Sequence, residues 1–160
     1  MGQAAGGLYA ACLLAGLAAK TAAKARLDAP IFIITLLAVP ALALLLGVVA
    51  WQPKWPDMLG AWLVVNLAVA VLAEELLFRG VLQPRLIGWL GVWPGVLVTA
   101  LLFGAVHIPF SPTFAVVAAV AGLGYGLVMQ VSGRLSMAIA LHGLVNLLHF
   151  ALLSYPLWIS

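Results

Sequence analysis

The stretch Ala73-Glu74-Glu75-Leu76-Leu77-Phe78-Arg79-Gly80 sets three charges in a run otherwise apolar enough to lie in a membrane. Its two glutamates are the only ones in the chain. A charged side chain at the bilayer centre costs roughly 2.5–3.5 kcal/mol on insertion scales, so such residues face a cavity or one another and serve a function. What surrounds the stretch decides the fold class, and what answers it elsewhere in the chain decides the chemistry.

The surroundings are apolar throughout. Of 160 residues, 66% are hydrophobic and 7% charged, with a mean hydropathy of +1.24. An ordinary soluble domain is about a quarter charged, and a soluble core could not hide so much apolar surface. An integral membrane protein is the class this balance allows. The net charge of +3 comes from bases scattered along the chain, which form no nucleic-acid patch. The single cysteine, Cys12, excludes an intramolecular disulfide and reads as a small packing residue. Lys20, Lys24 and Arg26 follow the first apolar stretch, where a secretory signal needs its positive charge ahead, so no targeting peptide is expected. Gly6 stands where a myristoylation site wants Ser or Thr.

A bilayer-spanning helix takes about 20 mainly apolar residues. Candidates are Gly2 to Ala19, Pro30 to Trp51 with a kink at Pro40, and a third from Asp57 through Asn66 toward Gln83-Pro84-Arg85. Trp93 to His107, Thr113 to Val131 and Leu135 to about Ser154 follow. Trp51, Trp55, Pro53 and Pro56 form an interfacial turn between the second and third. Gly122 and Gly126 give the fifth a GxxxG spacing for close helix approach. No repeat or internal boundary appears. The expected architecture is all-α, a polytopic bundle of about six transmembrane helices in one domain over residues 1–160. Lysine and arginine cluster in the odd loops, which places those loops in the cytoplasm and both termini outside.

Within the central stretch, Glu75 and Arg79 lie about 40° apart on a helix, in the favourable order for an ion pair. Glu74 points about 100° away from Glu75 and is left over. The trio is either a structural clasp or a clasp with one carboxylate available for chemistry. Phe103 and His107 share a face of the fourth span, where His107 is either a helix-end cap or a functional imidazole. His142, Asn146 and His149 make a polar stripe on the sixth, facing protein or a wet cavity. A spare carboxylate, imidazoles and a carboxamide on three helices satisfy one another best if gathered in one hydrated cavity. Two histidines and a glutamate are also a possible zinc set, although the HExxH spacing is absent.

Glu74-Glu75-Leu76-Leu77-Phe78-Arg79 matches EExxxR, Phe103-Gly104-Ala105-Val106-His107 matches FxxxH, and His142-Gly143-Leu144-Val145-Asn146 matches HxxxN. In this order, on successive helices, the three motifs resemble those of the type II CAAX prenyl endopeptidases. These belong to the wider CAAX-protease and bacteriocin-processing (Abi) family of intramembrane glutamate proteases. The resemblance covers about residues 60–150. It implies an intramembrane endopeptidase with Glu74 as catalytic glutamate, activating water together with His107. It further implies that His142 and Asn146 stabilise the oxyanion, that Glu75, Arg79 and Phe103 support the site, and that no cofactor or metal is required. His149 belongs to no motif.

The partners expected are membrane lipid and a membrane-anchored peptide or protein, such as one with a C-terminal sorting segment, with a prenylated tail ranking below. The location expected is a prokaryotic inner membrane. Two other function classes stay open at this point. One is a non-proteolytic immunity factor against a bacteriocin, since the broad family is linked to self-immunity. The other is a proton or ion pathway, which lacks an inverted repeat. The span boundaries also conflict with the site. Glu74 lies about 25 Å along a helix that starts at Asp57, which puts it near the cytoplasmic end, while His107 ends a helix returning to the opposite face.

Overall fold

A computed structural model of the chain describes residues 27–154. The first expected span, Gly2 to Ala19, lies outside the described residues, as do Cys12 and the basic cluster Lys20, Lys24 and Arg26. The described part is helical, with α1 at Leu27–Leu45, α2 at Leu59–Leu90, α3 at Val92–Ala105, α4 at Pro112–Ser132 and α5 at Leu135–Leu152. Four of the five are long and apolar enough to cross a membrane, and α3 is a shorter apolar helix. Their outward faces carry exposed Ile, Leu, Val and Trp, as lipid contact requires.

Two boundaries differ from the sequence expectation, and both matter for the site. First, α1 stops short of Trp51. Val48 N–H bonds to Ala43 O (3.0 Å) and Gly47 N–H to Leu44 O (3.1 Å), with Gly47 at φ +66°. This is a Schellman ending, which glycine accepts without strain. The chain from Ala50 to Lys54 then lies along the end of α5. Ser154 N–H bonds to Ala50 O and Gln52 N–H to Leu152 O, both at 2.9 Å, and Lys54 N–H bonds to Ala151 O at 2.7 Å. The Lys54 ammonium also donates to Leu153 O.

Second, α2 does not end at Pro84. It runs 32 residues to Leu90, and Gly91, at φ +87° and ψ 172°, turns it directly into α3. That backbone conformation is essentially confined to glycine. Pro84 is absorbed because a π turn precedes it: Leu76–Leu82 is π-helical, and Gln83 N–H reaches back five residues to Phe78 O. The wider turn relieves the clash that a proline ring makes with the preceding turn of an α-helix.

The depth conflict is thereby resolved. Glu74 precedes Gly91 by 17 residues and His107 follows it by 16, so the hairpin brings both to the same height. With 14 residues, α3 is only about 20 Å long, less than a hydrocarbon core of about 30 Å. It ends inside, in a series of tight turns over residues 106–110. Ser111 then caps α4, its Oγ accepting from Phe114 N–H at 2.9 Å, with Pro112 in the first turn.

The core draws on all five helices, with Val39 and Ala43 of α1, Phe78 of α2, Phe103 of α3, Ala121 and Tyr125 of α4, and Leu141 and Val145 of α5. α2 and α4 run parallel, and the expected glycines of α4 leave room for side chains of its neighbours, Gln83 of α2 at Gly126 and Phe103 of α3 at Gly122. A Cβ at Gly126 would stand 2.8 Å from Gln83 Oε1, and one at Gly122 3.0 Å from the Phe103 ring.

Candidate active site

The bare backbone at Gly122 and Gly126 lets long polar side chains of α2 reach the carbonyls of α4. Arg79 Nη2–H donates to Gly122 O at 2.8 Å, and one turn on, Gln83 Nε2–H donates to Gly126 O at 3.0 Å. A side chain at 126 would push Gln83 away, and one at 122 would press on the Phe103 ring.

Arg79 and Glu75 are fully buried and paired at 2.9 Å between Nη1 and Oε1. The guanidinium also lies over the Phe103 ring, 4.6 Å from its centroid, and 5.2 Å from that of Tyr125. A planar, delocalised cation suits such an aromatic corner. Spacing along the helix was enough to suggest this pair. A second bond of Glu75 was not visible in the sequence: the same Oε1 accepts from His142 Nδ1–H at 2.9 Å. The buried carboxylate thus ties α2 to α5 as well as to Arg79. Tyr125 stacks on the His142 ring at 4.6 Å and 17° between planes, and Phe103 meets its edge at 5.7 Å. The imidazole is held on three sides.

Glu74 stands differently. Its side chain is 34% exposed, and Oε2 lies 3.9 Å from His142 Nε2, too far for a direct hydrogen bond. It lines a cavity of about 230 Å³ together with His107, His142 and Asn146. Four residues from three motifs and three helices therefore share one space. His107 both caps and lines. Its Nδ1–H donates to Phe103 O at 2.7 Å, at the frayed end of α3, which leaves Nε2 as the lone-pair nitrogen of the neutral ring. Phe103 packs against that ring at 4.8 Å.

Two polar lining residues belong to no motif. Asn66 on α2 accepts from Asn146 Nδ2–H at 3.3 Å through its Oδ1. His149, the last member of the stripe on α5, donates Nε2–H to Ser154 O at 3.0 Å, since a carbonyl only accepts. The stripe on α5 signalled His149, and a lone carboxamide in an apolar span was the only sequence signal for Asn66. A smaller, mainly apolar chamber of about 70 Å³ adjoins the cavity across His107, His142, Asn146 and His149, with Val39 and Ala43 of α1 and Ala118 and Ala121 of α4 in its wall. Among the described residues no group of three or more His, Cys, Asp or Glu side chains is placed to hold a metal ion.

The arrangement offers a carboxylate and a lone-pair imidazole nitrogen beside a space roomy enough for several waters, with an imidazole and a carboxamide facing the same space. That set can take a proton from water and answer negative charge on an attacked carbonyl. A family model described as Type II CAAX prenyl endopeptidase Rce1-like matches residues 54–148, more than half of the chain and inclusive of all three motifs. No curated protein and no solved structure matches the chain.

Proposed function

Because the chain belongs to the Rce1-like type II CAAX prenyl endopeptidase family, a family of membrane proteases, we propose that it hydrolyses a peptide bond of a membrane-associated peptide or protein with water activated by Glu74 and His107. The supporting observation is the shared cavity. Glu74, His107, His142 and Asn146, from three separate motifs, line one cavity, and the buried Glu75–Arg79 pair backs His142.

In this mechanism Glu74 takes a proton from the water as its oxygen attacks the scissile carbonyl, and His107 orients that water through Nε2. The C–O bond forms, and the carbonyl oxygen becomes an oxyanion that accepts from Asn146 Nδ2–H and from Nε2–H of His142 in its imidazolium form, whose Nδ1–H stays on Glu75. Glu74 then returns the proton to the departing nitrogen as the C–N bond breaks, giving a carboxylic acid and an amine. Glu75 holds the His142 ring through Nδ1, and Arg79 offsets the charge of Glu75 in the core. Losing one oxyanion donor costs about 3 kcal/mol of barrier in comparable sites. The substrate class that fits is a membrane-anchored precursor, such as one with a C-terminal sorting segment, cut where its apolar segment meets a polar one. The setting proposed is a prokaryotic inner membrane.

Comparative proteomics of a deletion strain tests this. Uncut membrane-anchored precursors should accumulate, and wild-type protein should restore their processing while Glu74→Gln and His107→Ala, at equal abundance, should not. Full processing by either variant would rule the mechanism out. Bacteriocin protection that survives Glu74→Gln would point instead to non-proteolytic immunity.

A further inference from the structure

The chain contains two asparagines, and they are hydrogen-bonded to each other inside the cavity. Asn66 stands on α2 and Asn146 on α5, 80 residues apart in sequence. We infer that Asn66 is a positioning residue for the reaction proposed above: it fixes which end of the Asn146 amide faces the reacting carbonyl.

The backbone of α2 is shaped to put Asn66 there. Eight residues separate Asn66 from Glu74, which on a regular α-helix would set them about 80° apart. Asn66–Val71 is π-helical, and Leu72 N–H reaches back five residues to Leu67 O. One extra residue in a turn takes back about 100°, leaving the two side chains within about 20° of each other. Asn66 and Glu74 accordingly line the same cavity. π turns of this kind are frequent at functional sites, and here the turn has a definite consequence.

The hydrogen bond then does something specific. A carboxamide has an end that donates and an end that accepts, and only the donating end stabilises an oxyanion. Asn66 Oδ1 takes one N–H of Asn146 Nδ2, leaving the second N–H for the substrate. Without that acceptor the amide is free to turn, and its oxygen can face the developing negative charge and oppose it.

Two substitutions separate this role from packing. Asn66→Leu keeps the volume and removes the bond. Asn66→Asp keeps the acceptor, removes the donors of Asn66 and adds a carboxylate to the cavity. With 15N-asparagine labelling, the side-chain amides in the spectrum of the micelle-bound protein are those of two residues. A slowly exchanging Asn146 side-chain proton is expected in the wild type and in Asn66→Asp, and its loss in Asn66→Leu. Turnover of a synthetic peptide spanning the junction of an accumulated precursor should fall about tenfold to a hundredfold in Asn66→Leu. KM should be unchanged, and Asn66→Asp should regain most of the rate. An Asn146 signal unaffected by Asn66→Leu, or Asn66→Asp behaving as Asn66→Leu does, would overturn the inference. Glu74→Gln runs alongside. Cleavage by that variant would refute the proposed chemistry, while the exchange measurement would still judge the asparagine pair.

Discussion

Arg79→Leu is the substitution from which the architecture has most to lose. It removes a fully buried cation whose partner, Glu75, is also fully buried, and it strips Gly122 O of its donor. Breaking a buried ion pair from one side leaves an uncompensated charge and typically costs about 3–5 kcal/mol. Glu75→Leu together with Arg79→Leu removes both charges, and replacing a buried pair by apolar residues is often neutral or better. What remains lost is the acceptor for His142 Nδ1–H and the donor to Gly122 O, each worth about 1–3 kcal/mol at most. The double variant should therefore recover about 2 kcal/mol or more over the single one. Unfolding by SDS titration in mixed micelles, followed by tryptophan fluorescence, measures both; Trp62, stacked on Phe150 at 4.1 Å, is one reporter. Processing should stay lost in the double variant despite its recovered stability, because His142 has lost the carboxylate that holds it. A single variant within about 1 kcal/mol of wild type, or a double variant no more stable than the single, would refute this reasoning.

Four further substitutions probe other parts of the structure. Gly104→Ala would place a Cβ 2.7 Å from Ala115 O, an immovable backbone atom, and should cost about 1–3 kcal/mol in the same titration. Gly143→Ala meets the tip of the Leu67 side chain at 2.6 Å, which can move aside, and should cost under about 1 kcal/mol. Ser111→Ala removes the cap of α4 and should cost about 1 kcal/mol in that titration. Asn146→Ala should slow processing about a hundredfold or more in a single-turnover assay while changing stability by less than about 1 kcal/mol.

Much of this was legible in the sequence, for definable reasons. Hydropathy located α4 and α5 within about two residues, since Ser111-Pro112 and Ser132-Gly133-Arg134 punctuate them. The i, i+4 rule anticipated the Glu75–Arg79 pair because it depends on one helix alone. The misplaced features share a different origin. The π turns at Asn66–Val71 and Leu76–Leu82 break the 100° step on which every periodicity argument rests. Pro84 signals a boundary to any reader who cannot see the π turn before it. The pairing of Ala50–Lys54 with the end of α5 uses backbone groups and leaves no side-chain pattern. The bond from Glu75 to His142 spans two helices, and its partner choice follows from how α2 and α5 pack.

Cleavage of a precursor junction peptide by purified protein in lipid nanodiscs, compared between wild type and Glu74→Gln, puts the proposed chemistry to the test. Glu74 is partly exposed to the cavity and makes no bond that holds the fold, so the variant should unfold as the wild type does. Its cleavage rate should fall about a hundredfold to ten-thousandfold, the usual contribution of a positioned general base. A folded Glu74→Gln protein that cuts at the wild-type rate would contradict the assignment of Glu74 to the water.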